Sequence, residues 1–181
     1  MLREKIRQEV ESIDPFDDLE RDTQKDVLAW IDSEVELCRI EKPATPDKHL
    51  VSYFVLVDGE HLLLVDHKMA QLWLPTGGHV EPNEHPRQTV LREAGEELSI
   101  QAEFLFEGPL FITSTVTVGR TAGHTDISLW YVLKGGRNLD INSDRSEFQS
   151  ICWFKKDRVP LDRTDPHIDR FISKLYKTYD I

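Results

Sequence analysis

Three glutamates in the middle of the chain restrict how the surrounding segment can fold. Glu93, Glu96 and Glu97 lie at offsets of 0, 3 and 4, so on a helix they share one face. The apolar positions of the same segment form a stripe that points away from these acids: Val90, Leu91, Ala94 and Leu98. We therefore expect a helix from about Pro86 to Leu98 that packs on a sheet and turns its acids toward a cleft.

The close spacing of these acids is unfavourable unless a cation is bound between them. Like charges three or four residues apart on a helix repel by roughly 0.2–0.5 kcal/mol per pair. The last turns of a helix also favour cations over anions. Because Mg²⁺ and Mn²⁺ prefer carboxylate oxygens, either ion would reverse both effects. The spacing therefore predicts a site for a hard divalent metal.

Composition favours a soluble metabolic protein over a nucleic-acid or membrane protein. A chain of 181 residues is long enough for one well-buried core. The net charge of −11 argues against nucleic-acid binding. No apolar run is long enough to span a membrane, and the charged amino terminus does not resemble a signal peptide. Cys38 and Cys152 lie far apart, as expected for free thiols in a reducing compartment. We expect a cytoplasmic protein.

The sequence predicts that the amino-terminal region is helical and separate from the main domain. Residues 1–42 carry apolar residues at helical spacings, which predicts one amphipathic helix or two. The acids from Asp14 to Asp26 are interpreted as a solvated helix face. Pro43 and Pro46 prevent continuation of the helix. The predicted division is an N-terminal helical extension over 1–42 and a main domain over 43–181.

From His49 onward the pattern changes to strands. Asp58-Gly59 predicts the turn of a β-hairpin, and Pro75-Thr76-Gly77-Gly78 predicts a loop. A final helix is expected from about Pro166 to Tyr179. The predicted strand segments are HLVSYFVLV, HLLLVDH, LWL, AEFLFEG, PLFITSTVTV, DISLWYVLK and QSICWFK. Strands in the middle, with helices before, among and after them, predict an α/β fold in which a mixed sheet is covered by helices on both faces.

The acidic helix belongs to a longer pattern that resembles the box of the Nudix hydrolases, G-x5-E-x7-R-E-U-x-E-E-x-G-U, where U is a bulky apolar residue. The positions in register are Gly78, Glu84, Arg92, Glu93, Glu96, Glu97 and Ile100. Ala94 is a small residue at the first U, and Ser99 replaces the final glycine. That glycine would suit a left-handed residue at the helix end, where a non-glycine residue costs about 1 kcal/mol.

The resemblance implies a Nudix-type α/β/α sandwich that hydrolyses a nucleoside diphosphate linked to another moiety. By position, Glu93, Glu96 and Glu97 would coordinate Mg²⁺ or Mn²⁺ together with the backbone carbonyl of Gly77. Gly78, Glu84 and Arg92 would form the structural part of the box, with Arg92 and Glu84 as an internal ion pair.

The general base and one further metal ligand remain open at this stage. A carboxylate left partly free of metal can accept the proton of the attacking water. Glu93 and Glu96 are both candidate catalytic bases, and Glu93 is preferred. The resemblance also implies an additional metal-binding carboxylate before a late strand. Glu147 is the candidate, with an ordinary solvated loop acid as the alternative.

Candidate substrate-binding residues lie around the box. His79 follows the glycine pair, His124 and Asp126 stand where a loop enters a strand, and Trp73 can stack on a base. Each also has an ordinary reading as a loop, turn or core residue. Arg120 and Arg137 can bind phosphate, but nothing distinguishes them from surface arginines.

The substrate itself is not specified. Some Nudix subfamilies carry a proline or a tyrosine downstream of the box, and neither occurs at residues 115–118. A nucleoside triphosphate is expected by elimination. The alternative to an enzyme is a non-catalytic Nudix-like nucleotide sensor or scaffold, although every box glutamate is present. The expected partner is a small nucleotide-like substrate, not nucleic acid or a membrane. The N-terminal helices are candidates either to cap the site or to form a homodimer.

Overall fold

A seven-stranded mixed sheet forms the centre of the protein in the computed structural model, which describes residues 1–41, 45–117 and 123–178. The strands are β1 Lys48–Asp58, β2 His61–His67, β3 Leu72–Leu74, β4 Thr76–His79, β5 Phe111–Val116, β6 Thr125–Lys134 and β7 Phe148–Lys155. The helices are α1 Leu2–Glu11, α2 Asp18–Asp32, α3 Pro86–Leu98 and α4 Ile168–Thr178, with a short 3-10 turn at Leu161–Arg163. This is the predicted α/β class.

The longest strand, β1, organises the sheet. The order is β3-β2-β1-β6-β5, with β4 also paired to β1 and β7 to β2. β1 and β6 run parallel over their whole length, and the other pairs are antiparallel. The hairpin predicted at Asp58-Gly59 is confirmed, and Gly59 has the positive φ (55°) that such a turn requires.

Helices cover both faces of the sheet, because side chains along a strand alternate between the two sides. Leu50, Phe54 and Leu56 of β1 enter a core with α1, α2 and α3. Val55 and Val57 enter a second core with α4. The predicted α/β/α sandwich with N-terminal helices is confirmed.

The amino-terminal region forms two helices, and they share the first core with the sheet. Their buried residues in that core are Ile6, Val10, Val27 and Ile31. The proposed boundary at 42/43 lies outside the described residues. One interpretation of this region is wrong in part: Glu20, read as solvated, is fully buried. It accepts a hydrogen bond from Lys174 of α4 at 2.8 Å.

Two local predictions are also wrong. AEFLFEG is not a strand: Phe104 makes one isolated bridge to Leu133, and Gly108-Pro109 separates the segment from β5. The loop predicted at Pro75–Gly78 is largely strand β4, paired with residues 51–54 of β1. The glycines permit this pairing because a Cβ on Gly77 would overlap the backbone of Ser52.

Candidate active site

The acidic helix α3 has the boundaries that its sequence predicts. Pro86 occupies its first turn, and the side chains of His85 and Gln88 cap its amino end reciprocally. It ends at Ser99, which adopts the left-handed conformation at φ 56°. Val90, Ala94 and Leu98 are fully buried, so the helix is held firmly on the sheet while its opposite face stays available.

The three glutamates of this face have different surroundings. Glu97 is only 6% exposed, and its Oε2 accepts a hydrogen bond from the backbone N–H of Gly77 at 3.1 Å. Glu93 is mostly buried and accepts from Arg92 at 2.7 Å. The Glu96 side chain is 62% exposed and lies 3.3 Å from Arg92. One carboxylate is therefore buried without a cation in contact, one is shared with an arginine, and one faces solvent.

Strand β4 brings the glycine pair directly against this helix. A Cβ on Gly78 would overlap the carboxylate of Glu93. Any larger residue at this position would therefore displace Glu93 or separate α3 from the sheet. The glycine is required by close approach, and its φ is not positive.

Arg92 links the helix to the loop before it. Its Nε and Nη2 donate to the two oxygens of Glu84 at 3.0 and 3.1 Å, and Nη2 also donates to the carbonyl of His79 at 3.3 Å. Burial opposes ionisation of Glu84, but hydrogen bonds from Arg92 and Thr89 outweigh it and lower the pKa of Glu84. This pair fixes the loop relative to the acidic face.

The acidic face lines a cleft of about 510 Å³, here called the acidic cleft, into which Glu147 also projects with Glu93, Glu96 and Glu97. Burial, followed by the charge of Glu93, raises the pKa of Glu97 to about 9. Burial also raises the pKa of Glu93 despite its contact with Arg92. Carboxylates in this arrangement repel one another, and a bound cation would reverse these shifts.

A second cavity of about 380 Å³ shares Gly77, Gly78, His79 and Glu97 with the acidic cleft. We call it the adjoining cavity. Its walls include apolar side chains such as Leu72 and Leu74, together with Tyr53, Thr115 and Thr117. A ligand here would lie beside the acidic cleft, with room for an apolar group and a polar end.

Three of the four candidate substrate residues line this adjoining cavity: His79, His124 and Asp126. Trp73 lies elsewhere, packed edge-on against Phe154 at 5.0 Å between ring centroids. Arg137 is paired with Asp58 on the surface, and Arg120 falls outside the described residues.

The sequence analysis missed two residues that contact the polar side chains of the adjoining cavity. Arg39 lines both cavities and donates to His79 at 3.2 Å. His49 is fully buried in β1 next to Asp126, because the parallel pairing of β1 with β6 aligns these two residues. The sequence placed His49 at the start of a strand. That position indicates a neighbour of Asp126 only when the pairing of β1 with β6 is known.

The α/β/α sandwich places four carboxylates around one cleft, and comparison with known proteins identifies the class of hydrolase. The NUDIX domain family model matches residues 48–175. The chain therefore belongs to the NUDIX domain family, and it is a Nudix pyrophosphohydrolase.

Solved structures with the same fold are distant in sequence. A NUDIX-family hydrolase from Clostridium perfringens is 20% identical, covers 72% of this chain and 98% of its own, and has a TM-score of 0.56. A MutT NUDIX hydrolase from Burkholderia pseudomallei is 18% identical over 70% and 96%, also with a TM-score of 0.56. The dihydroneopterin triphosphate pyrophosphohydrolase of E. coli is 14% identical over 70% and 96%, with a TM-score of 0.51. No curated protein matches the sequence.

Proposed function

We propose that the protein is a divalent-metal-dependent hydrolase that cleaves a phosphate anhydride bond by attack of water on phosphorus. Its substrate is a nucleoside triphosphate or a nucleoside diphosphate linked to another group. The observation that carries this proposal is the buried carboxylate of Glu97. It faces Glu93 and Glu147 across the acidic cleft, and its pKa is raised to about 9 in the absence of a cation.

The donors in the acidic cleft fit Mg²⁺ or Mn²⁺. All are oxygens, which hard divalent ions prefer. The proposed ligands are the carbonyl of Gly77 and the carboxylates of Glu93, Glu96, Glu97 and Glu147. When bound, the metal neutralises charge on the phosphate oxygens and lowers the pKa of a bound water.

Glu93 is our proposed general base. Burial raises its pKa, which brings a carboxylate closer to the value that suits proton transfer near neutral pH. Arg92 holds its position through the 2.7 Å contact. Glu96 remains the alternative, although its exposed side chain is held less firmly.

We place the substrate in the adjoining cavity, where His79, His124 and Asp126 form its polar wall. The apolar wall at Leu72 and Leu74 suits a nucleobase or another flat group. The contact of Trp73 with Phe154 does not support base stacking by Trp73, which therefore stays a prediction from the sequence.

The test is hydrolysis of a panel of nucleoside triphosphates, oxidised triphosphates, ADP-ribose and dinucleoside polyphosphates, each with Mg²⁺, with Mn²⁺ and with chelator. We expect metal-dependent release of phosphate or pyrophosphate from at least one compound, with ¹⁸O from labelled water on a phosphate product. If nucleotides bind but none is hydrolysed with either metal, the protein is a sensor or scaffold and this proposal is wrong.

Location and assembly are further proposals. No helix among the described residues is long and apolar enough to cross a membrane, and we propose a cytoplasmic protein. We treat residues 1–42 as an extension of the domain at 43–181 that can mediate a homodimer. Light scattering on the full chain gives the oligomeric state, and a monomer at all concentrations would exclude the dimer.

A further inference from the structure

Four ligand-type side chains from different strands converge beside the adjoining cavity, and three of them line it. They are His49 of β1, His79 at the end of β4, and His124 and Asp126 at the start of β6. We call them the N3O cluster, because each offers one ligand atom: three imidazole nitrogens and one carboxylate oxygen. These four atoms all lie within 4.8 Å of one another.

The hydrogen bonds of His49 determine which of its nitrogens carries the proton. Its Nδ1 lies 2.8 Å from the carbonyl oxygen of Pro46, which can only accept, so Nδ1 is the donor. In the neutral ring, Nε2 then carries no proton and presents a lone pair. It lies 3.2 Å from Oδ1 of Asp126, but the geometry of that contact is not that of a hydrogen bond, and both buried atoms lack a hydrogen-bond partner among the described residues.

The other two histidines also direct lone pairs into the cluster. Arg39 has no acceptor atom, so its 3.2 Å contact makes Nε2 of His79 the acceptor. The Thr117 hydroxyl donates to the backbone carbonyl of His124 at 3.1 Å. Nδ1 of His124 then donates to the same hydroxyl oxygen at 3.1 Å. Nε2 of His124 is left as a lone pair 3.3 Å from Asp126.

We propose that the N3O cluster is a second metal site, one that binds a single divalent transition-metal ion of the zinc class. Among the described residues, Nε2 of His49 and Oδ1 of Asp126 have no hydrogen-bond donor, and buried acceptors that converge in this way favour a cation. Three imidazoles and a carboxylate form a donor set that suits Zn²⁺ and its neighbours.

The distances fit such an ion. Tetrahedral zinc with bonds of about 2.0–2.1 Å separates its ligand atoms by about 3.3 Å. The ligand nitrogens of His49, His124 and His79 lie 3.2, 3.3 and 3.9 Å from Oδ1 of Asp126. The bond from His49 to the Pro46 carbonyl is the outer hydrogen bond that orients metal-bound histidines.

Arg39 competes with the metal for this place. Its guanidinium occupies Nε2 of His79, whereas the ligand atoms of His49, His124 and Asp126 lie close to one another and to His79. Metal binding therefore uses these three first and takes His79 as the fourth ligand when Arg39 is released. Since the ligands are mostly nitrogen, the site prefers a different metal from the all-oxygen acidic cleft. This second metal site goes beyond the proposed hydrolysis, and its existence does not depend on that activity.

The experiment measures metal binding in place of turnover. The full chain is stripped with chelator, returned to excess Mg²⁺ to fill the acidic cleft, and titrated with Zn²⁺ or with Co²⁺ as a coloured probe. We expect one tight equivalent of Zn²⁺ and a strong visible absorption from four-coordinate Co²⁺. The absence of a tight equivalent in excess Mg²⁺ would overturn the proposal.

Matched variants assign the binding to the cluster. Asp126→Asn retains the shape but loses the charged ligand, and His79→Asn changes a partly exposed residue that should not be needed for folding. Each should weaken Zn²⁺ binding at least about tenfold, since even outer-shell partners cost about 10–100-fold. Glu96→Gln in the acidic cleft is the control and should leave the Zn²⁺ affinity unchanged.

Arg39→Met should tighten binding several-fold, because it removes the competing cation. If Asp126→Asn and His79→Asn, both shown by circular dichroism to be folded, bind Zn²⁺ as the unmodified protein does, the cluster is not the site.

Discussion

Two buried glutamates of this protein illustrate opposite uses of a charge. Glu20 of α2 is fully buried and accepts from Lys174, from the N–H of Phe16 at 2.7 Å and from the N–H of Ile112 at 3.2 Å. Glu97 of α3 is nearly as buried but accepts from one backbone N–H and faces other carboxylates. The first is compensated by the protein itself, and the second is left for a ligand to compensate.

This difference separates structural from functional acids on physical grounds. Burial of an ion is unfavourable unless opposite charge and hydrogen bonds replace the lost water. Around Glu20 all of these come from the chain, so nothing else is needed. Around Glu97 the nearest charges among the described residues have the same sign, so the proposed metal would stabilise this arrangement.

The largest expected effect is on catalysis, from Glu97→Gln. Gln keeps the shape and the bond from Gly77 but removes the charge that holds the metal. We expect kcat with Mg²⁺ to fall at least about 100-fold, with an unchanged or higher melting temperature without metal. Glu103→Gln, which changes a surface acid paired with Lys134, is the control. Near-normal activity of Glu97→Gln would remove this residue from the metal site.

At the pair formed by Glu20 and Lys174, we expect a loss of stability and not of activity. Lys174→Met leaves Glu20 buried without its cation and should lower the free energy of unfolding by about 3–5 kcal/mol. Adding Glu20→Gln should restore part of that loss, because it removes the unpaired charge, while the single amide oxygen still accepts from one of the N–H groups of Phe16 and Ile112. Urea denaturation of both variants measures the difference. A loss of less than about 1 kcal/mol in Lys174→Met would show that the pair contributes as little as a surface ion pair.

Glu9 is intermediate between Glu20 and Glu97, and the change expected from it is the smallest of the three. It accepts from the hydroxyl of Tyr131 at 2.9 Å, and burial raises its pKa from 4.5 to about 7. Between those values the folded state keeps a proton that the unfolded state has lost. The contribution of Glu9 to the free energy of unfolding should therefore be greatest below pH 4.5, fall as the pH rises to about 7, and then level off.

Over that window we expect a loss of about 2–3 kcal/mol attributable to Glu9. Urea denaturation of the unmodified protein and of Glu9→Gln at several pH values gives two curves of stability against pH. The difference between these curves is the loss attributable to Glu9. Parallel curves would mean that Glu9 stays ionised in the folded protein.

The success of prediction from sequence depended on how local each feature is. Glu84, Arg92 and the glutamates of α3 lie within one loop and one helix, so the helical spacing of the glutamates and the resemblance to the Nudix box predicted the arrangement. His49 is different, because it becomes a neighbour of Asp126 only through the pairing of β1 with β6. Glu20 was misread for the same reason, since its partner Lys174 lies on the last helix.

The pairing of Glu20 with Lys174 also has a consequence for how the chain folds as it is made. The two residues are 154 positions apart, and Ile112, a further donor, also follows much later. A nascent chain presents α2 long before α4 exists, so Glu20 must remain hydrated and α2 cannot take its final place early. We therefore expect Glu20 to be fully buried only after α4 has been synthesised, so a ribosome stalled before residue 174 would carry a core that is not yet complete.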